Sequence, residues 1–559
     1  MTKDRLIYLP LGGAGEIGMN AYVYGYGPKG HERLIVVDLG VTFGDMETAP
    51  GIDLIMADID WLAENADRIE AIFITHAHED HVGALGHLWP RLKAPVYARA
   101  FTAAIATLKM EEQGHPLDRI RVVKPRPEVV TAGPFRVQFV PVSHSIPESS
   151  ALVIDTPAGR IVHTGDFKLD GTPLVGEPFN PEEWHAIAHE GAGVKVLVCD
   201  STNVFSPLPG RSEATLARPI AELIARQEGM VVATTFASNV ARLKTLAEAG
   251  RAAGRSVCLL GRAMKRMVTA AVETRVLTDF PPILTPEEAL EVPRGNLMLI
   301  VTGSQGERRA ASAQLSRGRY LGLEMKEGDT FLFSSKTIPG NERGVIRVMN
   351  AFSEMGVDII DDHDGLYHVS GHANRPDLEA VHDLLAPKIL IPMHGEHRHL
   401  REHCKIAIAK GIAAELALNG SVVDLTGSAP KIVEYVEAGR TYLDGSVLIG
   451  ALDGVVRDRI RMALNGAVLA TMIFDEEDQP VGEAWVEIMG LPTTTRTGRR
   501  LADVIEAELN AFLDGAGIRT LGNDDMIEEA VRRIARQVAV EEIGKKPEVR
   551  VVVSRLAVE

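Results

Sequence analysis

The chain has 559 residues, 45% hydrophobic and 24% charged, and its 59 Lys and Arg against 76 Asp and Glu give a net charge of -17. That length exceeds what one hydrophobic core supports, so two to four domains are expected, and no apolar run approaches the roughly 18 residues that read as a membrane-spanning helix. The acidic balance excludes nucleic-acid binding through bulk positive charge, because phosphate recognition draws on Lys and Arg, but it leaves room for a local basic groove or for bound cations.

Residues 1–5 lead straight into a strand-like segment without a secretory h-region, so a cytoplasmic location is expected. Short β-branched runs then alternate with helix-like segments, which predicts α/β layers with strands at 34–37, 71–74, 136–140, 160–163 and 194–198. The last four run into polar residues, and in layered α/β folds chemistry gathers where strand ends meet. A second series begins near Phe205, with strands at 230–234, 257–260, 297–301 and 330–333. Arg262, Lys265, Arg266, Arg308, Arg309, Arg317 and Arg319 cluster along it, as a nucleic-acid groove or as ordinary solvated faces. A strand at 388–391 then ends in Pro392-Met393-His394-Gly395-Glu396. The connection at 438–446 reads as mobile, with Asp444 either a ligand for a structural cation or a surface aspartate. Strands at 467–473 and 483–488, a charged helix at 524–538 and a strand at 549–553 form a small α+β tail. Cys199, Cys258 and Cys404 are isolated, which fits a reducing compartment and excludes a cysteine-based zinc cluster.

The densest signal is Ile74-Thr75-His76-Ala77-His78-Glu79-Asp80-His81, where His76, His78, Asp80 and His81 crowd one loop at the end of an apolar run. Imidazole and carboxylate suit zinc and similar divalent ions, and two ions close together activate water and neutralise a phosphoryl transition state. The competing reading is a histidine-rich polar turn. Later strand ends supply the missing ligands: His144 after Val142-Ser143, Asp166 in His163-Thr164-Gly165-Asp166, and His394. We therefore expect His76, His78, His144 and Asp166 on one ion, and Asp80, His81, Asp166 and His394 on the other.

With these residues in order, the chain resembles the metallo-β-lactamase superfamily, whose fold is an αββα sandwich; Asp38 in Val37-Asp38-Leu39-Gly40 completes the motif series and would orient the ligand loop. A related redox branch carries glutamate where this chain has His78, so hydrolysis is favoured. The stretch between Asp166 and His394 is of domain size, and it resembles the inserted α/β β-CASP domain of nucleic-acid-processing enzymes, with Asp200 and His372 as its first motifs. The segments from Leu11 to Gly18, Phe236-Ala237-Ser238-Asn239, Thr302 to Glu307 and Ser334 to Glu342, together with the small α+β tail, resemble the ribonuclease J family over nearly the whole chain. Arg308-Arg309 departs from that pattern, where a proline is expected.

The resemblance implies a sandwich at 1–204 completed by 366–446, an inserted domain at 205–365 and a C-terminal domain at 447–559 that mediates self-association as a homodimer or homotetramer. It further implies a two-metal ribonuclease of RNA maturation and decay. Such an enzyme acts from 5′ to 3′ as an exonuclease on single-stranded RNA, favours 5′-monophosphate ends, and also cuts internally. Two divalent ions per subunit are expected, Zn2+ first, with Mn2+ or Mg2+ as alternatives. Asp80, Asp166 and His372 are the expected catalytic residues; Ala237, Ser238, Asn239, His368, Val369, Ser370, Gly371 and His372 would bind substrate, their backbone N–H groups cradling a terminal phosphate. Rival readings are a β-CASP endonuclease for RNA 3′ ends or DNA, a small-ester hydrolase of the same superfamily, and a catalytically silent RNA-binding subunit of an RNA-degrading complex. None of these readings calls for a membrane.

Overall fold

The computed structural model describes residues 4–361, 363 and 365–556; residues 1–3 and 557–559, at the limits of the first and last expected domains, and 362 and 364, just inside the expected 365 limit, lie outside the described residues. Two compact units are present: Met1–Thr42 with Met56–Arg440, and Phe43–Ile55 with Thr441–Glu559. Residues 43–55, which sequence reading leaves inside the first domain, group with the second unit. Among the described residues no helix is long and apolar enough to cross a membrane.

The first unit holds two mixed sheets face to face. One runs in the order Lys431–Tyr435, Ser421–Asp424, Arg5–Gly12, Ala21–Gly27, Arg33–Val37, Ile69–Phe73, Val96–Ala98, Ile120–Val122. The other runs Val130–Ala132, Phe135–Pro141, Ser150–Thr156, Gly159–His163, Val194–Asp200, Ile389–Met393, Ala413–Ala414. Tyr8, Ile35 and Phe73 from the first meet Phe139, Leu152, Val196 and Ile391 from the second in one core. On the second sheet's outer face, Val153, Val162, Leu197 and Leu390 are covered by Trp184, Leu378, Val381 and Ile406 from three helices. Val196 and Val198 thus point into the sandwich while Leu197 points to the helices, the period-two alternation of a strand buried on both sides. Each such side chain withdrawn from water contributes about 1.5–3 kcal/mol.

Strand direction is what builds the site. Gly159–His163, Val194–Asp200 and Ile389–Met393 are parallel neighbours, so their C-terminal ends deliver Asp166, Asp200 and His394 to one edge. Phe135–Pro141 reaches the same edge through two antiparallel pairings and delivers His144. In the facing sheet, Arg33–Val37 and Ile69–Phe73 are parallel and release Asp38 and His76 together.

The stretch between Asp200 and His372 forms its own five-stranded sheet, ordered Ser256–Leu260, Leu297–Val301, Val231–Thr234, Thr330–Phe333, Asp358–Ile360 and parallel throughout. Val232, Leu299, Phe331 and Phe333 pack against Phe352 on one face; Val231, Ala233, Ile300 and Leu332 pack against Leu243 and Leu246 on the other. This layered α/β insert within a sandwich is the architecture expected from the sequence.

In the second unit, Trp485–Met489, Ala467–Phe474 and Glu548–Arg555 form a sheet backed by helices Leu501–Gly515 and Asp524–Ile543. The connection read as mobile is instead ordered: Thr441 to Asp444 pair antiparallel with Val447–Gly450 around Gly445, and Asp53 N donates to Leu443 O at 2.9 Å. Asp444 is held by Arg459 at 2.7 Å, so it serves as an ion-pair partner.

Candidate metal centre

His76 follows the strand Ile69–Phe73 after Ile74 and Thr75, and the chain then turns at His78 into the short helix Glu79–Val82, which carries Asp80 and His81. Glu79 pairs with Lys109 at 2.7 Å, which separates it from its ligand-like neighbours. Gly40 lets this helix come close, since a Cβ there would lie 1.7 Å from the carbonyl oxygen of Asp80.

Three combinations of side chains bring their ligand atoms within 4.8 Å of one another: His76, His78 and His144; Asp80, His81, Asp166 and His394; and Asp166, Asp200, His372 and His394. Asp166 Oδ2 lies 3.8 Å from both His76 Nε2 and His144 Nε2 and 3.2 Å from His81 Nε2, so its carboxylate stands between the first two groups. His394 Nε2 is 3.3 Å from Asp80 Oδ2, and His372 Nδ1 is 4.0 Å from Asp166 Oδ2. His76 Nε2 is buried without a hydrogen-bond partner among the described residues, while Asp166 Oδ1 is 2.8 Å from His394 Nδ1. A buried polar atom left unpaired costs about 1–3 kcal/mol, and a divalent ion would satisfy His76 Nε2, while the mixed nitrogen and carboxylate donors of both groups suit such ions. The residues present therefore fit a pair of such ions.

Surrounding contacts set which imidazole nitrogen is free. Asp38, at φ +65°, accepts from Thr75 N at 2.7 Å and Thr75 Oγ1 at 2.8 Å, and its Oδ2 is 2.8 Å from His81 Nδ1. Thr75 Oγ1 in turn is 3.0 Å from His76 Nδ1, and His144 Nδ1 is 2.5 Å from Gly371 O. With Nδ1 donating in each case, the Nε2 atoms of His76, His81 and His144 turn to the centre.

The electrostatics separate the two groups. Burial, reinforced by neighbouring imidazoles, holds His76 and His144 well below the usual histidine range; burial holds His78 at about 4. These three are neutral ligands at physiological pH. Burial acts the same way on His81 and His394, but Asp166 and Asp80 outweigh it, raising His81 well above its ordinary value and His394 to about 10. Burial would raise Asp166 and Asp80, but His394 and His81 overcome it and keep both carboxyls ionised. In the metal-free protein, two imidazolium groups hold the charge balance that ions would take over.

Asp200, at the end of Val194–Asp200, accepts from Thr202 N at 2.9 Å and Thr202 Oγ1 at 2.7 Å, while its Oδ2 is 2.8 Å from His372 Nδ1. Asn203 Nδ2 donates to Ser370 Oγ at 2.8 Å and to His372 O at 3.3 Å, fixing the loop that presents His372. Burial opposes protonation of His372, yet Asp200 and Asp166 raise it above the ordinary range. Its side chain is 21% exposed against 2% for Asp166, which leaves it open to a substrate.

Not every expected substrate residue offers its side chain. Val369 packs into the core, and Asn239 caps helix Val240–Ala252 by accepting from Arg242 N at 2.9 Å. Ala237 and Ser238 precede that cap, at the C-terminal side of Val231–Thr234. Burial first, then the charge of Arg242, pushes His368 down to about 3, so it is neutral. Arg308 and Arg309 are exposed and have no ion pair among the described residues.

Sequence reasoning passed over Thr75, Thr202 and Arg242. Thr75 and Thr202 directly precede or closely follow predicted functional residues, which is the one signal they carry. Arg242 is fully buried, donates to Glu213 at 2.6 and 3.0 Å, to Ser334 O at 2.7 Å and to Tyr367 O at 3.3 Å, and so ties the helix after Asn239 to the segment leading to His372. An arginine on a helix looks solvated until the surrounding strands are placed.

Comparison with known proteins matches four segments of the chain. Residues 15–210 match the metallo-beta-lactamase superfamily, 228–352 the family described as Ribonuclease J, beta-CASP domain, 366–416 the Zn-dependent metallo-hydrolase RNA specificity domain, and 454–556 the Ribonuclease J C-terminal domain. A Ribonuclease J of Sinorhizobium meliloti is 40% identical over 560 residues, covering 100% of this chain and 98% of the relative. Ribonuclease J 1 of Streptococcus pyogenes is 34% identical over 84% of this chain and 83% of its own length. A Ribonuclease J of Thermus thermophilus is 33% identical over 92% and 89%.

Proposed function

The chain belongs to the ribonuclease J family and is a metal-dependent ribonuclease, and from that premise we propose that it hydrolyses RNA phosphodiesters with two ions held by the ligand sets above. The observation that carries the proposal is the carboxylate of Asp166, 3.8 Å from His76 and His144 on one side and 3.2 Å from His81 on the other, with His372 4.0 Å away. Bound ions would supply Lewis acidity and an activated water. His76, His78 and His144 would hold one ion and Asp80, His81 and His394 the other, with Asp166 shared; Zn2+ is the proposed resident, and the nitrogen-rich donor set favours it over Mg2+.

Asp80 and Asp166 orient the attacking water against the phosphorus. His372, its Nδ1 held by Asp200, donates a proton to the leaving 3′-oxygen. The raised affinity of His372 for a proton supports that role. The backbone around Ser370-Gly371-His372 and the amino terminus of helix Val240–Ala252 after Ala237-Ser238-Asn239 cradle a 5′-monophosphate. This gives 5′-to-3′ exonuclease action on single-stranded RNA together with internal cutting, in the cytoplasm. Self-association as a dimer or tetramer is supported by the second unit, where Trp485, Met489, Ile473 and Val552 are exposed.

The test pairs metal content with RNA cleavage in His76→Ala and Asp80→Ala variants. Both should lose an ion and nearly all cleavage; full cleavage in both would sink the reading. Comparing 5′-monophosphorylated, 5′-triphosphorylated and circular RNA separates the exonuclease from an endonuclease acting alone, and metal-dependent turnover by the isolated protein excludes a silent RNA-binding subunit.

A further inference from the structure

We propose that Tyr22 and Asn20 act as a positioning pair that sets the separation of Asp80 and His394 and so the affinity of the second ion; this rests on the two-ion reading above. Both residues are fully buried, and Tyr22 lies on the strand Ala21–Gly27 of the first sheet. The Tyr22 hydroxyl is 2.6 Å from Asn20 Oδ1 and 3.3 Å from Gly13 O. Both of those atoms accept, so the phenol's single proton goes mainly to Asn20 Oδ1 with Gly13 O as the longer, shared acceptor, and burial keeps it protonated.

Donation to Oδ1 fixes which way the Asn20 amide points. Nδ2 then donates to Asp80 O at 3.0 Å and lies 3.0 Å from His81 Nε2, while Asn20 N also donates to Asp80 O at 2.9 Å. Gly13 O receives His394 N at 2.8 Å. One hydroxyl therefore connects the amide that holds the Asp80 turn with the carbonyl that holds His394. Asp80 and His394 come from strand ends in different sheets, and their ligand atoms stand 3.3 Å apart. His394 adopts φ +51°, a left-handed conformation unusual for a non-glycine residue, so its backbone needs an external hold. The first group, His76, His78 and His144, is oriented through Thr75 and Gly371 instead and makes no hydrogen bond to Tyr22 or Asn20 among the described residues.

Tyr22→Phe removes the hydroxyl and keeps the ring against Tyr8 and His163. The experiment counts bound Zn2+ in the full-length protein by mass spectrometry and measures both affinities by chelator competition, beside the melting temperature of the metal-free form. We expect the first affinity unchanged, the second weakened tenfold to a hundredfold as for other residues that orient ligands, and cleavage restored by added Zn2+. Asn20→Ala should weaken the same ion at least as much. Two ions held as tightly as in the parental protein, or both weakened equally alongside a lower melting temperature, would overturn the inference, the latter showing a merely structural role. A parental protein that binds fewer than two ions would overturn the two-ion reading and this inference with it, and the parental control distinguishes that outcome.

Discussion

His144 Nδ1 lies 2.5 Å from the carbonyl oxygen of Gly371, so a ligand of the first ion group is oriented by the backbone of the loop that presents His372. The residue at 371 must also be small. A Cβ there would stand 2.7 Å from Ser145 Oγ and 2.9 Å from His144 Nδ1 and Cε1, and since Gly371 is not in the left-handed region the constraint is space alone. Gly371→Ala should displace the His144 ring and lower both kcat/KM and affinity for the first ion by about 10–100-fold. Steady-state cleavage with metal counting checks this; an unchanged ion content would assign the coupling to packing only.

Asp38 joins Thr75 and His81 through one carboxylate, and reaches His76 through the Thr75 hydroxyl. Burial raises its pKa above the ordinary value, although His81 and Thr75 pull the other way. Asp38→Asn keeps the shape but presents an amide to one of the donors, which should cost about 10–100-fold in metal affinity with the melting point of the metal-free protein little changed. Asp38→Ala leaves buried donors unpaired and should also destabilise the fold by about 3–5 kcal/mol, read by denaturant unfolding.

The candidate ligands were legible in the sequence because the run from His76 to His81 is local, and because His144 follows the alternating, antiparallel strand Phe135–Pro141, while Asp166 and His394 follow parallel strands buried on both faces. Leu297–Val301 and Thr330–Phe333 fall where the sequence puts them for that reason. Asp358–Ile360 was not foreseen, being three residues long and only partly buried. The contacts of Asn20, Thr75 and Arg242 were hidden because they depend on which distant strands end side by side. The hairpin at 441–450 escaped notice because its residues are largely exposed and lack an alternating pattern.

Arg242 tests how the insert holds the 367–372 segment proposed to bind the terminal phosphate. Arg242→Ala would leave Glu213 buried without its closest cation, at a cost of about 3–5 kcal/mol. The released 367–372 segment should raise KM for 5′-monophosphorylated RNA more than it lowers kcat. Arg242→Lys keeps the charge but not the fork that reaches Glu213, Ser334 and Tyr367 together, so it should fall between the two in stability and in KM.

The pH dependence of ion binding follows from His394. In the metal-free protein its pKa stands at about 10, above the ordinary value of 6.5, because Asp166 and Asp80 outweigh burial. A folded-state pKa raised in this way stabilises the metal-free protein fully below the unfolded value, and that stabilisation is lost as pH rises through about 10. An ion at the second group competes with the same proton. Its affinity should therefore climb from pH 6.5 towards 10, with proton release on binding, whereas His76, His78 and His144 are already neutral and the first ion should show little change over that range. Calorimetric titration with Zn2+ in buffers of different ionisation enthalpy counts the protons directly. Release confined to one of the two binding steps is the expected result; release divided equally between them, or none in either, would show that the protonated imidazoles of His81 and His394 are not displaced by the second ion.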